Sequence, residues 1–146
     1  MAAINPYIHF NGNAEEAFTF YKSVFGGEFA NISRYRDISS EQYPIPENDQ
    51  NSIMHIALPI GKTGVLMASD VMQAMGKVNE TDNRYTVSII AESKEEADKL
   101  FNGLSAGGKI EMPLIDGPSG NYFGMFADKF AVQWIINYNP KFSGEV

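Results

Sequence analysis

Few side chains in this sequence can carry reactive chemistry. The chain has two histidines, His9 and His55, and no cysteine. Thiolate nucleophiles, disulfides and cysteine-ligated zinc are therefore excluded. His55 stands in SIMHIAL, among alternating apolar residues of a strand pattern. An imidazole there must find a partner or lose solvation. It reads either as a hydrogen-bonded structural histidine or as an acid, base or ligand anchor beside Asp70 or a tyrosine hydroxyl. His9 falls one residue out of phase with Ile8 and Phe10, so it is expected to face a covering helix. Asp70 ends VLMASD and is expected to cap the following turn. Ser119 follows Gly117-Pro118 and reads as turn chemistry, because no histidine stands near enough in sequence to activate it.

The elements that would position these groups come in two copies. NAEEAFTFYKSVFGG, from Asn13, is echoed by SKEEADKLFNGLSAGG, from Ser93. In the first copy Asn13 is the predicted N-cap, with Glu16 reaching back to it. Ala17, Phe20, Tyr21, Val24 and Phe25 form one apolar helix face, and Gly26-Gly27 ends it. In the second, Ser93 and Glu96 form a capping box, Ala97, Leu100, Phe101 and Leu104 form the face, and Gly107-Gly108 closes it. Strand patterns precede and follow each helix: 4–10, 28–36, 51–58 and 64–69, then 85–91, 109–114, 122–126 and 131–138. The order in both copies is strand, helix, strand, strand, strand. Residues 37–50 form a polar connection with Pro44 and Pro46, read as a binding loop or a surface excursion. The predicted modules span about 1–75 and 84–146, with a linker at about 71–83 in which Met72 and Met75 pack on the chain itself.

At 146 residues and 44% hydrophobic, the chain can bury a real core. A net charge of -7 argues against nucleic acid as a partner. Arg34 and Arg36 read as a solvated or ion-paired edge. No leader peptide is expected from MAAINPYIHF, nor a bilayer span from any apolar run, so the expectation is a cytoplasmic protein with no membrane partner.

PYIHFNGNAEEAFTFY, IMHIALPIG, VLMASD and FGMFADKFAVQWIIN resemble the PhnB-like branch of the vicinal-oxygen-chelate superfamily, the glyoxalase, bleomycin-resistance and extradiol-dioxygenase group. The resemblance implies an α+β fold. Two tandem βαβββ modules would form a pseudo-twofold pair of curved mixed sheets around a central trough, with helices on the outer faces. It also implies a homodimer. Methyltransferase labels attached to this branch find no glycine-rich nucleotide unit here.

The superfamily's metal enzymes draw one ligand each from the first, fourth, fifth and eighth strands. By resemblance those positions fall on Pro6, Met67, Tyr85 and Trp134, none of which suits a hard or borderline divalent cation. No metal and no cofactor are therefore expected. The trough would instead be lined by Ile8, Phe10, Met67, Ser69, Tyr85 and Trp134, with Pro6, Val87 and Ile136 beside them. Such a surface would take a small apolar or aromatic molecule. The alternatives are a metal-dependent lyase, isomerase or dioxygenase of the glyoxalase type, and a metal-free enzyme using His55 or Tyr85 as acid or base.

Overall fold

Alternating strand residues and two amphipathic helices give two four-stranded mixed sheets, each with one helix packed on it. The computed structural model describes residues 2–118 and 120–140. The predicted turn residue Ser119 lies outside them. The chain divides into two compact units between Asn79 and Glu80.

The first unit contains β1 (Tyr7–Phe10), α1 (Ala14–Phe25), β2 (Asn31–Arg34), β3 (Ile53–Ile60) and β4 (Gly64–Asp70). Its strand order is β1-β4-β3-β2, with β1 parallel to β4 and the other pairs antiparallel. The second contains β5 (Val87–Ile90), α2 (Lys94–Ser105), β6 (Lys109–Asp116), β7 (Tyr122–Ala127) and β8 (Gln133–Tyr138). Its order, β5-β8-β7-β6, repeats the first, again with one parallel pair, β5 with β8. The duplicated strand-helix-three-strand plan is thus present as two tandem βαβββ modules.

Helix α1 buries Ala14, Ala17, Phe18 and Tyr21. This is the i, i+3, i+4, i+7 stripe, rotated from the predicted one so that Phe18 enters and Phe20 leaves. Phe18 meets Phe10 edge-on at 6.2 Å between ring centroids. Ile56, Leu58, Leu66 and Ala68 complete the layer beneath the helix. Helix α2 buries the four residues expected of it, Ala97, Leu100, Phe101 and Leu104. Phe101 packs edge-on against Phe126 at 5.0 Å, above buried Trp134 and Ile136. At Gly124 an added Cβ would lie 2.7 Å from the Phe101 ring, so this strand position admits no side chain while the ring stays put.

The helix starts differ. Ser93 accepts the Glu96 amide at 3.0 Å, and the Glu96 carboxylate accepts the Glu92 amide at 2.9 Å. Asn13, by contrast, makes no side-chain cap bond, and its side-chain Oδ1 is buried without a partner. Asp70 takes over that task. Its Oδ1 accepts the amides of Gly12 and Ala14, and its Oδ2 accepts that of Ile53 at 2.8 Å. The expected cap is thus supplied across the module, by a carboxylate at the positive end of the helix.

The connection at 37–50 is more structured than its composition implies. Two 3-10 turns, Tyr35–Ile38 and Glu47–Asp49, bracket it. Buried Asp49 fastens it by accepting the Gln73 amide at 3.2 Å. In the expected linker, a third such turn covers Gln73–Met75, and the Asn11 side chain exchanges two hydrogen bonds with the Val78 backbone.

Candidate functional site

In each module the helix covers one sheet face, and no helix of the same module covers the other, here called the uncovered face. Which residues stand on which face follows from strand alternation and register. On β1, Phe10 is buried against Phe18, and Ile8 lies beside buried Ala68. Tyr7 and His9 therefore point to the uncovered side, where Tyr7 pairs with Met67 and His9 with Ser69. On β3 that side carries His55 and Ala57; on β2 it carries Asn31 and Ser33.

This arrangement corrects several expectations. Ile8 and Phe10 are not on the uncovered side of their sheet; they lie on the helix side. His9, expected under the helix, is on the uncovered face. Trp134 is likewise on the helix side, fully buried, with its indole N–H donating to Asp128 Oδ2 at 2.9 Å. Val87 and Ile136 share that layer. Tyr85 precedes β5 rather than belonging to it, is 75% exposed, and stacks under the Arg84 guanidinium at 5.7 Å. Of the named lining residues, Met67 and Ser69 stand on an uncovered face.

The physical reason is that a covering helix takes the greasier side of its sheet. Phe10, Phe126, Trp134 and Ile136 are among the chain's best core formers, so they belong beneath the helices. The mixed face, with rings that also carry polar atoms, is the one left open. That signal was available in the alternation of YIHF and QWIINY.

The uncovered face of the first sheet gathers both histidines. The Tyr7 ring lies 5.4 Å from the His9 ring and 5.9 Å from the His55 ring, tilted at 43° and 44°. His9 Nδ1 is 3.2 Å from Ser69 Oγ. The Asn31 amide nitrogen is 2.7 Å from His55 Nδ1. Because that NH₂ group donates, His55 Nδ1 accepts, and the ring proton belongs on Nε2. Ser69 is almost fully buried, Met67 and His55 are half-buried, and Tyr7 remains 43% exposed. Sequence reasoning missed Tyr7 and Asn31 as members of this group. Of the two partners expected for His55, Asp70 faces the helix side with its oxygens occupied by backbone amides, while a tyrosine, Tyr7, does stand beside His55.

Tyr35 closes the end of the face. Its hydroxyl donates to the Asp70 carbonyl at 2.8 Å. Burial, then the charges of Tyr7, Asp70 and Asp49, push this phenol above its ordinary value. It is therefore a neutral donor throughout the physiological range.

The donor set does not fit the divalent cation that the fold's metal enzymes hold. On β1 and β4 the uncovered face offers Tyr7, His9, Met67 and Ser69. On β5 and β8 it offers Ser88, Ile90, Gln133, Ile135 and Asn137. Taken by itself, the first sheet's uncovered face holds two imidazoles and no carboxylate, and these strands of the second sheet hold neither, whereas borderline and hard cations require several such donors. Among the described residues no three His, Asp or Glu side chains come together.

Over residues 3–136 the sequence matches the family described as "Glyoxalase/Bleomycin resistance protein/Dioxygenase superfamily". It is 28% identical over 137 residues to Protein YjdN of Escherichia coli K12, covering 92% of this chain and 93% of that one. Among solved structures it is similar to protein PA1353 from Pseudomonas aeruginosa, with 37% identity and a TM-score of 0.79 over 95% of this chain and 98% of that one. It is also similar to a putative 3-demethylubiquinone-9 3-methyltransferase, PhnB protein, from Bacillus cereus. There the identity is 29% and the TM-score 0.70, over 94% of this chain and 100% of that one.

Proposed function

The chain belongs to the glyoxalase/bleomycin resistance protein/dioxygenase superfamily, and from that premise we propose that it binds a small aromatic molecule without a metal, on the uncovered face of its first sheet. One observation carries the reading: Tyr7, partly exposed, has its ring 5.4 Å from the His9 ring and 5.9 Å from the His55 ring, on the face opposite buried Phe10 and Ile56. An exposed ring of this kind supplies a stacking surface, and ring pairs are worth about 0.5–1.5 kcal/mol beyond buried area. Met67 adds an adaptable apolar neighbour. Ser69, Asn31 and the histidine nitrogens supply the few polar anchors that orient a ligand.

The methyltransferase wording attached to the Bacillus cereus protein is not adopted for this chain. Its strand-to-helix turns are Asn11-Gly12-Asn13 and Ala91-Glu92-Ser93, and neither is a glycine-rich phosphate cradle. Metal-dependent chemistry is disfavoured by the donor set described above.

The test is calorimetric titration of three naphthalene derivatives, 2-naphthoate, 2-naphthamide and 2-naphthylmethylamine, into protein held in EDTA. At least one is expected to bind saturably, with the same affinity when EDTA is replaced by Zn²⁺ or Mn²⁺. In Tyr7→Ala that binding is expected to weaken roughly tenfold, the loss of about 1.4 kcal/mol. Binding by none of the three, or binding only with added metal, removes the proposal. The reading also takes two chains to associate. Light scattering at the mass of two chains supports this, and a single-chain mass removes it.

A further inference from the structure

We infer that the ligand of this face is an anion: an aromatic acid whose carboxylate or equivalent oxygen group is held by the outward nitrogens of His9 and His55. The inference rests on the reading of the first sheet as the binding face and goes on to specify the charge of what binds there.

The chain has 18 aspartates and glutamates and a net charge of -7, yet among the described residues no carboxylate stands on this face of the sheet. On it stand Tyr7 and His9 of β1, Val65, Met67 and Ser69 of β4, His55, Ala57 and Pro59 of β3, and Asn31 and Ser33 of β2. The nearby acids are engaged elsewhere. Asp70 accepts three backbone amides on the helix side. Asp49 is buried and accepts the Gln73 amide. Glu15 is paired with Arg34 at 2.7 Å, and Asp37 accepts the Arg34 amide at 2.8 Å. Tyr35 spends its hydroxyl proton on the Asp70 carbonyl.

The His55 tautomer then sets the polarity. Both use Nδ1 inward, toward Ser69 and Asn31. No hydrogen bond to either Nε2 is formed among the described residues. For His55 the Asn31 amide assigns the proton to Nε2, which makes that nitrogen a donor. A ligand cation would find no counter-charge here. A ligand oxygen anion would find the Nε2 donor of His55, the His9 ring and the Tyr7 hydroxyl, with the Tyr7 ring beneath its aromatic body. Hydrogen bonds to an ionised acceptor are roughly twice as strong as neutral ones. The negative field of the whole chain opposes an approaching anion, so selection must come from these short contacts rather than from steering.

The same naphthalene series tests this, because its members share one ring system and differ in charge. 2-Naphthoate is expected to bind at least tenfold more tightly than 2-naphthylmethylamine, with 2-naphthamide between. In the double variant H9F/H55F, which keeps two rings and removes their nitrogens, the preference is expected to fall below threefold. A second variant, Asn31→Asp, places a carboxylate on the face. It is expected to weaken naphthoate at least fivefold and to favour the amine, and it guards against a double variant that fails to fold. Equal affinities for all three compounds would overturn the charge assignment while leaving the binding face in place. A preference for the amine would overturn it outright. Binding by none would remove the face itself.

Discussion

Tyr7 and Phe10 share a four-residue strand and are put to different uses. Phe10 is 4% exposed and meets Phe18 edge-on. Phe10→Ala is therefore expected to destabilise the fold by about 3–5 kcal/mol, the usual cost of emptying a buried aromatic site. Urea unfolding measures this as a fall in midpoint at unchanged slope. Had Phe10 been a ligand-facing residue, the same substitution would have cost little stability. Tyr122 offers a second check on side-chain assignment. Its hydroxyl donates to Asp98 on α2 at 2.6 Å, and this bond raises the phenol above its ordinary value, with burial and the nearby acid charges adding to it. The folded state therefore holds the phenolic proton more tightly than the unfolded state does. The stabilisation is complete below about pH 10, where an unfolded tyrosine ionises, and is lost as pH rises through the raised folded value. Tyr122→Phe is expected to flatten the alkaline end of a stability-versus-pH curve, and an unchanged alkaline slope would contradict the assignment.

Among the elements, Asp70 joins three of them. One carboxylate at the end of β4 closes the start of α1 and the start of β3. Removing it leaves up to three backbone donors short of a partner, each worth about 1–3 kcal/mol when buried. Asp70→Ala is expected to cost about 3 kcal/mol or more in a denaturant titration. Asp70→Asn, which keeps one accepting oxygen, is expected to cost about half as much. Equal, small losses would show that Asn13 can resume the cap. Sequence reasoning slipped at the faces: it set Ile8, Phe10 and Trp134 on the open side, and in a strand the opposite choice of side moves every side chain to the other face. The helices, their terminators and the strand order were legible because glycine stops, caps and period-3.6 stripes are local signals. The face assignments were not, because they depend on which side a helix chooses to cover. The candidate site was legible only in part: Met67, Ser69 and His55 could be picked out as strand residues with functional atoms, whereas Tyr7 and His9 needed the register.

For the protein taken together, the fold of two tandem βαβββ modules is one on which many chemistries have been built, so the fold alone does not choose among them. The choice rests on residue types. The uncovered strands of this chain present rings, amides and hydroxyls where a cation would need carboxylates and several imidazoles. The most direct test of the account is the methyl spectrum of methionine-labelled protein, recorded in EDTA during titration with 2-naphthoate. The Met67 methyl, beside Tyr7 on the uncovered face of the first sheet, is expected to shift progressively and saturate, while Met112 on β6 stays in place. Saturable binding that leaves Met67 unmoved, or a Met67 shift that requires added divalent metal, would contradict the account.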